Sequence, residues 1–171
     1  MMKSCIAVAL AALFWAIPAL GVQAIPQALT GAMMSAPEGA VVGIGAASME
    51  SATLSRISAE YRARAEIHRQ LGVVIMNMVA NYMGGAQANP MTMMMFQESA
   101  MGALHRSELN AAVIIAHSAE AGGEHWAAAM LGGTDAAAEI MNAARYAAGR
   151  VPGVSATMWN MDFIMMALQF R

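Results

Sequence analysis

Apolar positions along this chain recur mainly at three- and four-residue intervals, and the pattern predicts helices. Over residues 48–83, Leu54, Ile57, Tyr61, Leu71, Ile75, Met78 and Tyr82 trace a heptad seam with a positions at 54, 61, 68, 75 and 82, and Gly84-Gly85 ends it. Arg64 and His68 fall on that seam. Arg56, Glu60, Arg62, Glu66 and Arg69, spaced three or four apart, form a solvated charged face. Asn89-Pro90 supplies a polar cap followed by proline in the first turn, so a second helix is expected over residues 91–121, stopped by Gly122-Gly123. Met91, Met94 or Met95, Glu98, Met101, His105, Leu109, Ala112, Ile115 and Ala119 form its stripe. At 1.5 Å per residue the two helices make a hairpin roughly 45 to 55 Å long.

After a weak segment at 124–131, shorter helices are expected over 135–148, capped by Thr134, and over 156–169, capped by Ser155, with Pro152-Gly153 between them. β-branched residues occur only in short groups such as Val73-Val74-Ile75 and Val113-Ile114-Ile115, and no alternating strand pattern stands out. The expected fold class is therefore all-α: a long antiparallel helical hairpin with two or three shorter helices forming a bundle. Residues 48–171 form its single helical domain. Pro26, Pro37 and glycines at 31, 39, 43 and 45 make residues 25–47 an irregular lead-in. Ser35-Ala36-Pro37-Glu38 within it has capping-box spacing.

Residues 1–24 have the form of a cleavable signal peptide. Met1, Met2 and Lys3 are a weakly basic start, Cys5 to Val22 an apolar run, and Val22-Gln23-Ala24 a small-x-small cleavage site. Such a run is just long enough to span a bilayer, but Pro18 and Gly21 break a helix where a signal loosens before its cut. The mature chain is expected to begin at Ile25 in a periplasmic or secreted location, touching the membrane only transiently through the signal.

Composition removes whole classes of chemistry from that mature chain. Cys5 is the single cysteine, so disulfides, thiolate metal sites and cysteine nucleophiles drop out. Lys3 is the single lysine, which removes Schiff-base chemistry and a lysine-dependent phosphate loop, and leaves eight arginines against eleven acids. A mildly acidic chain without a basic patch is no nucleic-acid binder. There is no Gly-x-Ser-x-Gly elbow and no His-Glu-x-x-His helix, and Gly43-Ile44-Gly45-Ala46-Ala47 is only a fragment of a dinucleotide pattern. A catalytic role has no footing.

What remains is methionine and histidine. The chain has 19 methionines, and Met91, Met93, Met94, Met95 and Met101 form the densest run. Such a run packs irregular cores and adaptable contact surfaces, and Met91, Met93, Met94 and Met95 are the expected interaction surface. Thioethers are also soft ligands for copper(I), the natural set beside histidine where thiols are lacking. Antiparallel pairing about a loop centred near Gln87 sets His68 opposite His105, with Glu108 one turn further on and Glu98 two turns before. The candidate metal set is thus His68, His105, Met94, Met101 and Glu108, against the simpler reading of a His-Glu-Arg hydrogen-bonded layer. The Glu-x-x-His order of di-iron bundles is reversed in His105-x-x-Glu108 and His117-x-x-Glu120. His117, Glu120, Glu124 and His125 form a second cluster, read as surface residues around a loop.

The expectation is an exported, non-enzymatic helical protein acting by protein–protein contact or self-association, with no cofactor. Small exported helical-hairpin proteins, among them accessory components of cell-envelope and secretion assemblies, share this outline in shape and composition, with no motif behind the likeness. The alternative is a periplasmic Met/His-rich copper-binding protein.

Overall fold

The computed structural model describes residues 25–85 and 89–169. The signal segment, the loop at Gln87 and the terminal Phe170 and Arg171 lie outside the described residues. Elements follow the order α1 (Gln27–Met34), β1 (Val41–Ala47), α2 (Ala52–Gly85), α3 (Pro90–His105), β2 (Val113–Ala119), β3 (His125–Leu131), α4 (Gly133–Ala148), a 3-10 turn (Ala156–Met158) and α5 (Met161–Gln169). The strands form one antiparallel sheet in the order β1-β3-β2, so the all-α expectation is corrected to a mixed α and β fold.

The correction has three local causes. Residues 25–47 are not an irregular lead-in: they hold α1 and β1. Val41, Gly43, Gly45 and Ala47 of β1 face α2, while Val42, Ile44 and Ala46 face the other way. The glycines are needed because the helix backbone lies directly on the strand. A Cβ built at Gly43 would run into the carbonyl oxygen of Ala63, and one at Gly45 into that of Ala59. These glycines are therefore packing features of a strand and no part of a nucleotide loop.

Second, α3 ends at His105 and does not continue to residue 121. Leu109 takes a positive φ of 44° with its side chain buried, and the Ala112 amide donates to the Leu109 carbonyl at 2.8 Å, turning the chain back toward the sheet. The β-branched Val113-Ile114-Ile115 then runs as β2, with an irregularity between Ile114 and Ala116. Third, Gly122-Gly123 does not stop a helix; it turns a hairpin. Gly123 has a φ of 79°, and the Glu120 amide donates to the Glu124 carbonyl at 2.8 Å. The weak segment 124–131 is the central strand β3. Its Ala127, Ala128 and Ala129 are fully buried, because helices cover both faces of the sheet and leave room for little more than a methyl group. Alanine, the best helix former in isolation, is selected here by space.

The long helix α2 agrees closely with the expected one, but its buried face is not the heptad seam. Ser55, Ala59, Ala63, Ile67, Leu71, Ile75, Val79 and Met83 are all buried and lie four residues apart. A four-residue step turns the stripe by about 40° around the axis, so its first half faces the sheet and its second half faces α3, α4 and α5. Leu54, Ile57 and Tyr61 of the expected seam consequently point outward. Two side chains of α2 also cover the outer edge of β1: Gln70 Nε2 donates to the Val42 carbonyl at 2.9 Å, and the Arg62 guanidinium donates to that of Ala46.

On the opposite face of the sheet, Leu29 of α1 packs with Trp126 and Ala128. The C-terminal half forms a helical layer. Asn89 caps α3 by accepting from the Met91 amide at 2.9 Å, α4 buries an alanine-rich face around Ile140, and Phe96 stacks on Trp159 with ring centres 4.9 Å apart. No helix among the described residues is long and apolar enough to cross a membrane.

Candidate functional site

Helices α2 and α3 come together at Gly72. A Cβ there would lie 2.6 Å from Met101 Cε and 3.0 Å from its Sδ, so the thioether occupies the space the glycine leaves. Four residues before Gly72 stands His68, and four after Met101 stands His105. Their ring centres are 6.2 Å apart with planes tilted by 43°. The four residues share a half-open groove of about 670 Å3, whose rim carries Tyr61, Arg64, Met76 and Glu108.

Both imidazoles lie against the main chain. His105 Nδ1 lies 3.0 Å from the Met101 carbonyl, which can only accept, so Nδ1 is the donor in this bond and Nε2 takes no part in it. The His68 ring lies near the Ser107 backbone, and its Nε2 is buried with no hydrogen-bond partner. Burial holds the His68 pKa below the ordinary value, and the nearby His105 acts in the same direction. The Ser107 backbone and the Glu139 carboxylate oppose them. The Ser107 hydroxyl donates to Glu139 Oε2 at 2.7 Å.

The other sequence candidates are placed as follows. Met94 is exposed, two helical turns from Met101 and about 10 Å away along α3, so the two sulfurs are apart. Glu108 lies beyond the end of α3 at the exposed rim. Met91, Met94 and Met95 are exposed, whereas Met93 packs against the core. The second cluster is dispersed by the hairpin: His117 Nε2 lies 3.6 Å from Glu60 Oε1, Glu124 accepts from Trp126 Nε1 at 3.0 Å, and Glu120 accepts from the Ser118 hydroxyl at 3.4 Å. Among the described residues no three side chains of the His, Cys, Asp and Glu types converge as a metal site.

Sequence reasoning missed the outer face of α2. Leu54, Ile57 and Tyr61 are 53, 52 and 73 % exposed, and Val73 and Met76 continue the apolar character further along the helix. The signal for this was present in the competing run of small residues Ser55, Ala59 and Ala63, which marks the side where another backbone approaches. On α3, Met91 and Met94 stand at helical spacing from Met101 and His105 and extend the face. No protein-family model, curated protein or solved structure matches this chain.

Proposed function

We propose that this is an exported, non-enzymatic protein that works by contact, presenting the outer face of α2 and the methionines of α3 to a helix of a partner protein in the cell envelope or outside it. The observation that carries this reading is the exposed row Leu54, Ile57 and Tyr61 on a helix whose opposite side is seated on the sheet. Large apolar side chains in a row on a folded surface mark an interaction site more often than scattered ones do. Their i, i+3, i+7 spacing suits an amphipathic helix laid alongside, with its own apolar residues at matching intervals. From Leu54 to Met76 the face is about 33 Å long, enough for a partner helix of six turns. The flexible thioethers of Met76, Met91 and Met94 adapt to such a neighbour.

The test compares wild type with the triple variant Leu54→Gln, Ile57→Gln, Tyr61→Gln in cells that export the protein. Because these side chains contribute little to the fold, far-UV circular dichroism and the melting temperature of the variant should match wild type. Native-gel mobility of the tagged protein from the envelope fraction should show an assembly larger than the monomer for wild type and monomer for the variant. Identical large assemblies for both, or monomer for both, would refute the reading.

A further inference from the structure

The histidine pair in the α2–α3 groove has geometry that a hydrogen-bonded layer does not explain. A layer that fixes helix register pairs its polar atoms with one another. Here His105 is tied through Nδ1 to the Met101 carbonyl, which leaves its Nε2 out of that bond, and Nε2 of His68 is buried without a partner. Buried polar atoms without partners are rare and call for an explanation. Anchoring the far nitrogen to a carbonyl is how a ligating imidazole is oriented and its tautomer set.

The spacing also fits. With a metal–nitrogen distance of about 2.0 Å, each ring centre lies roughly 3.2 Å from a shared ion, and two rings at a wide angle are up to about 6.4 Å apart. The observed separation is 6.2 Å. The third donor is Met101, one turn before His105 on α3, whose sulfur rests in the same groove over Gly72, itself one turn after His68 on α2. Glycine at 72 is what brings that sulfur close to α2. Exposed Met76, at the groove rim, is a fourth soft donor within the same lining.

From this we infer that His68, His105 and Met101 form a binding site for a soft monovalent cation, copper(I) in nature and silver(I) as its laboratory equivalent. Two imidazoles and a thioether, without a carboxylate or thiolate, favour copper(I) over zinc, calcium or magnesium. The low coordination number that copper(I) accepts matches a site in which no three histidine, cysteine or acidic side chains converge among the described residues. The groove shares Tyr61 and Met76 with the contact face proposed above, but removing Leu54, Ile57 and Tyr61 leaves His68, His105 and Met101 in place.

The experiment is a competition titration of the protein with copper(I) against a chromophoric copper(I) chelator under reducing conditions, with zinc(II) as control. One copper(I) per chain is expected for wild type. His105→Gln, at an exposed position that folding does not require, should weaken binding at least tenfold, and His68→Gln likewise. Met101→Leu should weaken it severalfold, while the triple variant Met91→Leu, Met94→Leu, Met95→Leu should retain full uptake. Silver(I) added to 15N-labelled protein supplies a readout independent of the variants' stability: Nε2 of both His68 and His105 should shift, with both Nδ1 resonances little changed. Uptake that survives both histidine substitutions, uptake lost with the surface methionines, silver shifts at other nitrogens, or no uptake at all would each overturn the assignment.

Discussion

Replacing Gly43 by alanine asks whether the α2 backbone really rests on β1. The new methyl would point at the helix, where it meets the Ala63 carbonyl oxygen well inside contact distance and Ile67 N and Cγ1 at 3.0 Å. None of the two backbone atoms can swing aside as a side-chain tip does. The helix must therefore withdraw by about 1 Å, which forfeits a quarter to a half of the dispersion energy of each contact it made there. The residues that lose contacts are Ala59, Ala63 and Ile67, all fully buried, and the Gln70 bond to the Val42 carbonyl is stretched as well. Overpacking of a tight core costs about 1–3 kcal/mol, and a backbone-on-backbone clash belongs at the upper end, so about 3 kcal/mol is expected. For a domain near 150 residues that lowers the melting temperature by roughly 6–12 °C. Gly31→Ala is the control. It lies in α1 with nothing within 4 Å of the added methyl, and should leave stability unchanged or raise it by up to about 1 kcal/mol. Urea denaturation followed by circular dichroism measures both. A Gly43→Ala protein within 0.5 kcal/mol of wild type would refute the seating of α2 on β1.

Three further outcomes are expected. In metal-free protein, His68 is held neutral below its ordinary pKa of 6.5 by burial, so the unfolded chain takes up a proton that the folded one refuses. Its contribution is fully present above pH 6.5 and is lost as pH falls through that value toward the folded one; denaturation midpoints between pH 5 and 8 should fall more steeply toward acid for wild type than for His68→Gln, and equal slopes would contradict this. Phe96→Ala removes the stacking partner of buried Trp159 and should cost about 3–5 kcal/mol, with loss of the near-UV tryptophan dichroism; an unchanged midpoint would show that the stack is not part of the core. Met93→Gln should destabilise while Met94→Gln should not, since the first packs against the core and the second is exposed, and equal midpoints for the two in urea would refute that division.

Helices whose ends carry local chemistry were legible in the sequence. The Asn89-Pro90 cap marks the start of α3, and the glycine pair at 84–85 marks the end of α2, so the residues facing each other across their turn follow from counting outward. That is why His68 and His105 stand together in the sequence reading as they do in the groove. The sheet was not legible because its strands are built from alanine and glycine. Ala127 to Ala129 and the Gly43-Ile44-Gly45 segment show no alternation of apolar and polar, since helices bury both faces. The glycine pair at 122–123 reads equally as a helix stop or a hairpin turn, and only the strand partners on either side decide between them. The outward turn of Leu54, Ile57 and Tyr61 depends on where β1 lies, which local periodicity does not encode.

A photo-cross-linking scan along α2, in cells that export the protein, tests the contact reading most directly. A photoreactive residue is placed singly at Leu54, Ile57, Tyr61 and Met76 on the outer face, and at Asn77 and Asn81 on another side of α2 and Asn142 of α4 as exposed positions off the apolar row. The same discrete adduct is expected from the first four positions and none from the other three. Adducts at all seven positions, or at none, would contradict that reading.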